Sequence, residues 1–310
     1  MALRDICKAL ADDFKGSVIK NIPLAVYTTF RIGGPADLLV IPKGMDDLML
    51  LAQTASVSGV EVQILGRGSN VLVSDGGFHG MVVVLGEGLE RIKLKGKNEV
   101  NVEAGCDLSK LIAWSMKRGL GGLEDLSGIP GTVGGAVRMN AGAMGSSMGD
   151  MVEEVSLLGI DAGEAADIIL DKSDVGFGYR RTDIGDNEII YKVKLKLDPE
   201  DGDVLRKRHK EVLGWRRDNQ PLKSHSAGSV FLNPPECSAG ELIDRCGLKG
   251  CSVGDAVVSD QHANFILNVG NASAEDVYKL ITHIKREVRL REGIDLEEEI
   301  RLIGEIGRGR

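Results

Sequence analysis

Aromatic residues make up only 4% of this 310-residue chain, with 2 Trp, 4 Tyr and 6 Phe. That is too few for the rows of stacking platforms on which single-stranded nucleic acids lie. Basic charge is also short: 38 Lys and Arg face 46 Asp and Glu, for a formal net charge of −8. A general nucleic-acid binder needs a basic footprint, so any phosphate bound here must be bound locally. No stretch reaches the roughly 18 apolar residues of a membrane span. The amphipathic start (Leu3, Ile6, Cys7, Leu10) carries acidic residues where a secretion signal needs an unbroken apolar core. Cysteines are few and unpatterned: Cys7, Cys106, Cys237, Cys246 and Cys251 form no Cys-x-x-Cys pair, and their odd number cannot pair fully within one chain. A reducing, cytoplasmic location is the expectation. His79, His209, His225, His262 and His283 are scattered, and no His/Cys/Asp cluster has metal spacing. We expect no metal.

Glycine, by contrast, is abundant at 41 residues, well above an average usage of about 7%. Its densest run is Ser127 to Ala143, with glycine at 128, 131, 134, 135 and 142. One edge of this stretch has almost no side chains, so its backbone can lie flat against something large, a bulky planar ligand above all. Taken alone it is equally a run of turns. A second segment, Gly66-Arg67-Gly68-Ser69-Asn70, ends the apolar run Val60 to Leu65. Successive N–H groups in such a turn form a concave anion site of the kind that holds a pyrophosphate. Two glycine-rich loops predict one dinucleotide.

In chain order, Tyr27 to Ile32 reads as a strand ended by Gly33-Gly34-Pro35, and Leu38 to Pro42 as another. A helix follows with Leu48, Leu51, Ala52 and Ala55 on one face. The run 60–65, the turn 66–70 and Val71-Leu72-Val73 complete a strand–helix–strand unit. Short strands are expected at 81–85, 89–94 and 99–103, then a helix begun by Asp107 with Leu108, Leu111, Ile112 and Met116 inward. Segments 152–160 and 164–170, joined by Asp161-Ala162-Gly163, read as a hairpin, and Glu188 to Leu197 as a strand. The segment Asp198 to Gly202 marks a boundary. The charged helix beyond it (Arg206, Lys207, Arg208, Lys210, Arg216, Arg217) is either a solvated face or a phosphate-recognition surface. Gly228 to Leu232 and Asn264 to Asn268 look strand-like. The longest helix starts at Ser273 with Asp276 as a near capping box and Val277, Leu280, Ile281, Ile284 and Val288 as its buried stripe. In a last strand, Leu296 to Ile303, alternation sets Glu297 and Glu299 on one face and Glu298 on the other. The fold class is α+β. Residues 1–200 form one module in two lobes, about 1–75 and 76–200, and 201–310 a smaller α/β domain whose final strand, 296–303, returns to the active site.

These segments, in this order, resemble the UDP-N-acetylenolpyruvoylglucosamine reductase (MurB) family from about Asn21 to Glu305. The pieces that carry the resemblance are Thr28-Thr29-Phe30-Arg31-Ile32-Gly33-Gly34, Gly68-Ser69-Asn70, Ile129 to Gly135 with Asn140-Ala141-Gly142, Tyr179-Arg180, Ala227-Gly228-Ser229-Val230-Phe231, and Glu297 to Gly304. The spacing resembles the family's second, shorter type, which lacks an inserted tyrosine-bearing loop. The resemblance implies an FAD-binding module of the vanillyl-alcohol-oxidase type followed by a substrate-binding domain. It also implies a flavoenzyme that uses NADPH to reduce UDP-N-acetylglucosamine enolpyruvate to UDP-N-acetylmuramate in peptidoglycan precursor synthesis.

That chemistry delivers hydride to C3 of an enolpyruvyl ether and a proton to C2, so it needs a cation, an acid and a proton donor. By the resemblance, Ser229 is the proton donor and Arg180 holds the substrate carboxylate, a task suited to a guanidinium fork. Glu299 is the acid that polarises the developing carboxylate. Outside that context, Ser229 would be a structural serine, Arg180 a surface arginine and Glu299 a solvated glutamate. Tyr179, Gly228 and Asn233 join Arg180 around the substrate. Noncovalent FAD falls to Arg31, to Gly66, Arg67, Gly68, Ser69 and Asn70, and to Ile129, Pro130, Gly131, Thr132, Gly134, Gly135 and Ala136. Three positions depart from the family pattern: Leu232 where a lysine is usual, Glu298 for a proline, and Met144 for a tyrosine. Two alternatives are another FAD-dependent oxidase or dehydrogenase of the same cofactor fold, and a non-catalytic nucleotide-binding relative. A monomer is favoured, without nucleic-acid or membrane partners.

Overall fold

A computed structural model describes residues 3–11, 13–161 and 164–307. The chain forms two compact units, and it passes between them repeatedly. The first holds Met1–Lys20, Asp37–Gly66 and Gly80–Gly214; the second holds Asn21–Ala36, Arg67–His79 and Trp215–Arg310. This grouping differs from linear boundaries near 75 and 200, because the short segments 21–36 and 67–79 belong by compactness with the C-terminal third.

The first unit joins helices to two sheets. In the helix Met45–Ser58, the expected face of Leu48, Leu51, Ala52 and Ala55 is buried. Gly59 ends it in the left-handed region, φ +65, with its N–H on the Ala55 carbonyl, the usual way a glycine closes a helix. Val62–Leu65 runs parallel to Met81–Val84 in a four-stranded sheet. The second sheet is antiparallel, in the order Glu164–Asp171, Val152–Asp161, Glu188–Lys196, Glu99–Glu103, Ile92–Lys95. Its register explains its two faces. Val155, Val193 and Val102 lie in one row and are buried, whereas Glu154, Lys194, Asn101 and Lys93 form the next row on the charged face. The expected hairpin pairs from Asp161↔Glu164 to Glu154↔Asp171; its linking Ala162-Gly163 lies outside the described residues.

The core of the second unit gathers around the helix Ala274–Glu292, whose expected stripe of Val277, Leu280, Ile281, Ile284 and Val288 is buried. Ser273 and Asp276 form a capping box. The Asp75 carboxylate accepts from the N–H groups of Ala274 and Glu275 at 2.8 and 3.1 Å, so the first-turn donors have partners. Val71–Val73 pairs in parallel with Arg301–Ile303, and Ser252–Val253, Ala256–Val258 and Ile266–Asn268 form a small antiparallel sheet. Among the described residues, no helix is long and apolar enough to cross a membrane.

Two expected strands are not strands, and a third is shorter than expected. Leu24–Tyr27 is a 3-10 turn, and residues 28–34 are irregular. The Thr28 hydroxyl donates to the Ile32 carbonyl, and Arg31 and Gly33 have φ of +58 and +144, so local hydroxyl bonding and positive φ override β-branched composition. Gly228 to Leu232 carries only isolated bridges at Ser229 and Phe231, because Gly228 turns the chain at φ +77. The last strand contracts to Arg301–Ile303, with a lone bridge at Glu298.

Candidate functional site

Within the first unit, Gly66 meets the long glycine-rich run. A Cβ on Gly66 would lie 2.5 Å from Thr132 Oγ1. Thr132 caps the helix Val133–Arg138, its hydroxyl accepting from Gly135 N–H at 3.3 Å. The run is laid over residues 104–108: Val133 and Gly134 N–H donate to the Cys106 and Ala104 carbonyls, and Leu108 N–H donates to Gly131. Gly134 is obligatory there, since its Cβ would sit 2.8 Å from that of Ala104. Gly135 is different. It is exposed, and its Cβ would meet nothing nearer than Thr132 Oγ1 at 3.5 Å. Packing within the chain does not require a bare surface at that position. Ile129 is half-buried, Pro130 exposed and Ala136 buried.

Tyr179 and Arg180 occupy the tip of a tight turn in the same unit, closed by Gly178 and Arg181 bonding each other's backbone. Arg180 has φ +58, and its guanidinium stands 5.3 Å from the Tyr179 ring centroid. Asn140 steadies this turn, donating to Gly178 O at 2.8 Å while accepting from Gly149 N–H at 2.9 Å. A Cβ at Gly142 would lie 2.7 Å from the Ser146 carbonyl oxygen and 3.2 Å from Arg180 Nη1, so the backbone of its own hairpin is what requires that glycine.

The second unit ties four of the candidate segments into one hydrogen-bonded junction. Gly68, at φ +58, accepts from Thr29 N–H at 3.1 Å, and the Thr29 hydroxyl donates to the Ser226 carbonyl at 2.7 Å. The Asn70 side-chain amide donates to the Glu299 carbonyl at 3.1 Å, and the Asn70 carbonyl accepts from Arg301 N–H at 3.0 Å. Glu299 N–H in turn donates to Val230, next to Ser229, at 2.8 Å. A Cβ on Gly228 would lie 3.9 Å from the Ser69 carbonyl. Thus Ser229, Glu299 and the turn 67–70 converge through backbone bonds.

Glu298 pairs with Lys285 of the long helix, Nζ lying 2.9 and 3.0 Å from its two oxygens. The Asn233 side chain accepts from Ala239 N–H at 3.0 Å at the start of the helix Ala239–Arg245. Arg31 and Arg67 are exposed.

Sequence reasoning missed Asn264. This buried residue accepts from Phe231 N–H and donates to Phe231 O, while its own carbonyl takes Val230 N–H. It therefore holds both residues after Ser229. Its one signal is a lone amide in the otherwise apolar run Ala263 to Leu267. Asn70→Ala removes the bond to Glu299 and should cost about 1 kcal/mol, read as a lower urea midpoint at unchanged m-value. A wild-type midpoint would mean that water replaces the amide.

Glycine-cleared backbone on an α+β frame is the architecture of a flavin-binding protein, and residues 36–167 match the family model described as FAD binding domain. Residues 220–303 match UDP-N-acetylenolpyruvoylglucosamine reductase, C-terminal domain. Relatives named UDP-N-acetylenolpyruvoylglucosamine reductase include those of Moorella thermoacetica, 42% identical over 98% of this chain and 99% of the relative, and Bacillus subtilis, 38% identical over 97% and 99%. The crystal structure of the Thermus caldophilus enzyme superimposes with a TM-score of 0.80 at 37% identity, covering 94% of this chain and 100% of that one. The chain belongs to the UDP-N-acetylenolpyruvoylglucosamine reductase family, whose members are FAD-dependent oxidoreductases. The residues present fit FAD at Gly135, where the backbone is exposed and a side chain would meet nothing nearer than Thr132 Oγ1 at 3.5 Å.

Proposed function

We propose that this enzyme uses NADPH to reduce UDP-N-acetylglucosamine enolpyruvate to UDP-N-acetylmuramate, in the cytoplasm, for peptidoglycan precursor synthesis. Bound FAD supplies hydride to C3 of the enolpyruvyl group. Ser229 gives its hydroxyl proton to C2, Arg180 grips the carboxylate with its planar fork, and Glu299 polarises the charge that develops there. Tyr179, Gly228 and Asn233 flank the substrate. FAD is held noncovalently by Arg31, by residues 66–70, and by Ile129, Pro130, Gly131, Thr132, Gly134, Gly135 and Ala136. On this reading residues 1–200 supply the FAD-binding module and 201–310 the substrate-binding domain. A cytoplasmic location is supported by five cysteines that are all free thiols.

The observation that carries the reading is the junction in the second unit, where Glu299 N–H bonds the Val230 carbonyl and Asn70 bonds the Glu299 carbonyl. It supports the reading because the backbones of the stretches assigned the proton donor and the acid are tied to the turn assigned to the cofactor. The test is an anaerobic titration followed by absorbance. The purified protein should be yellow, should bleach with NADPH and should recover its colour on adding the enolpyruvyl substrate, and acid should release the flavin into solution. Colour that returns only with oxygen, or flavin that stays with the acid pellet, would refute the reading.

A further inference from the structure

The charged helix Gly202–Asn219 divides its basic residues unevenly. Arg206 and Arg217 bond acidic neighbours on the same helix, Asp203 and Asp218. Arg208 and His209 instead reach the segment from which the long glycine-rich run departs. Arg208 donates to both oxygens of buried Asp125, Nε at 2.8 Å and Nη2 at 2.7 Å, and the Ser146 hydroxyl donates to that carboxylate at 2.8 Å. Burial raises the Asp125 pKa, but hydrogen bonds from Arg208 and Ser146 and the guanidinium charge outweigh it and hold the carboxyl below its ordinary range. One residue on, His209 Nδ1 lies 2.7 Å from the hydroxyl of Ser127, which is fully buried. Ser127 directly precedes Gly128, where the backbone turns to φ +80, and Ile129 N–H bonds back to the Leu126 carbonyl at 3.1 Å.

Glycines at 128, 131, 134 and 135 leave the run little stiffness of its own. Bonds to residues 104–108 hold positions 131–134, which leaves the root at 125–127 to set how the chain enters the run. We propose that Arg208 and His209 are positioning residues for the flavin: they clamp Asp125 and Ser127, and so hold the backbone at 128–135 in the conformation that receives FAD. This rests on the reading that the glycine-rich run contacts FAD. Of the basic residues on this helix, Arg208 is thus engaged by a protein carboxylate.

The test measures FAD affinity of the apoprotein by quenching of flavin fluorescence, with circular dichroism to establish folding. Ser127→Ala and His209→Ala should each weaken FAD about 3- to 10-fold, the range of one buried hydrogen bond. The double variant should lose no more than either single one, because both remove the same contact. His209→Asn, which keeps a polar atom near the position of Nδ1, should recover most of the affinity; a merely space-filling histidine would not be rescued this way. Arg208→Lys should bind more weakly than wild type, since a point charge cannot replace the two-pronged contact. If Arg208→Lys proves unstable, the Ser127 and His209 variants decide alone. Gly135→Val serves as the control for the underlying reading, because a side chain there has room in the protein but stands in the path of the cofactor. Full affinity in Gly135→Val would show that this run does not hold FAD. Lost affinity in Gly135→Val with wild-type affinity in Ser127→Ala and His209→Ala, or additive losses in the double variant, would overturn the clamp alone.

Discussion

In Ser229→Ala, bleaching of the flavin by NADPH should proceed at a near wild-type rate, while recovery of colour on adding the enolpyruvyl substrate should slow 10²- to 10⁴-fold. That is the usual cost of removing a general acid and amounts to about 3–5 kcal/mol of barrier. The asymmetry follows from the proposed role, because NADPH oxidation needs no proton at substrate C2. The structure makes the variant informative. The backbone immediately after Ser229 is held by bonds that an alanine leaves intact: Val230 N–H to Asn264 O at 2.9 Å, Phe231 N–H to Asn264 Oδ1 at 2.9 Å, and Glu299 N–H to Val230 O at 2.8 Å. A change in rate therefore reports the hydroxyl. Anaerobic stopped-flow absorbance separates the two phases. Slow bleaching with normal recovery would make Ser229 a contact to flavin or nicotinamide, and the donor would have to be sought elsewhere.

How much of this was legible in the sequence depends on how many residues share one physical pattern. The helix Ala274–Glu292 repeats its apolar spacing from Val277 to Val288, about three turns, and every residue of the expected stripe is buried. The strands 152–161 and 188–196 are less regular: register shifts at Val152/Glu154 and Ser156/Leu157 interrupt the pairing and residues 155–159 are all buried, although charge pairs such as Lys194 with Glu99 still mark one face. The parts nearest the candidate site lack such repetition. Residues 28–34 are shaped by one threonine hydroxyl and two positive φ angles, and Tyr27 to Ile32 still has the composition of a strand. The couplings at Ser229, Phe231 and Glu298 are single bridges, too short to leave a period. Asn264 and Asn70 act across 33 and 229 residues of sequence, a distance at which no local pattern signals a partner. Nor can linear boundaries express two compact units between which the chain alternates. The glycine-rich motifs stood out because their meaning is backbone, which sequence shows directly through the absence of side chains.

Gly68→Ala tests that backbone reading and should be severe for so small a change. At φ +58 an L-residue already costs roughly 1–2 kcal/mol relative to glycine. The new Cβ would also fall onto the Tyr27 carbonyl oxygen and lie 2.9 Å from Thr28 Cα and 3.1 Å from Tyr27 C. All three are backbone atoms of a segment that Thr29 pins to Gly68 through its N–H, so relief must come by breaking that bond and moving the turn. A total near 3 kcal/mol is expected, at the upper end of ordinary single substitutions. FAD affinity should fall with it under the proposed role of residues 66–70, since a shifted turn would no longer present its N–H groups to a pyrophosphate. Gly76→Ala is the matched control in the same unit: its Cβ would meet only Ser74 Oγ at 3.6 Å, and stability and flavin binding should stay near wild type. Thermal melts of both apoproteins with flavin titration give the comparison. Wild-type affinity in Gly68→Ala would remove residues 66–70 from the phosphate site and leave the glycines between 128 and 135 to hold the cofactor.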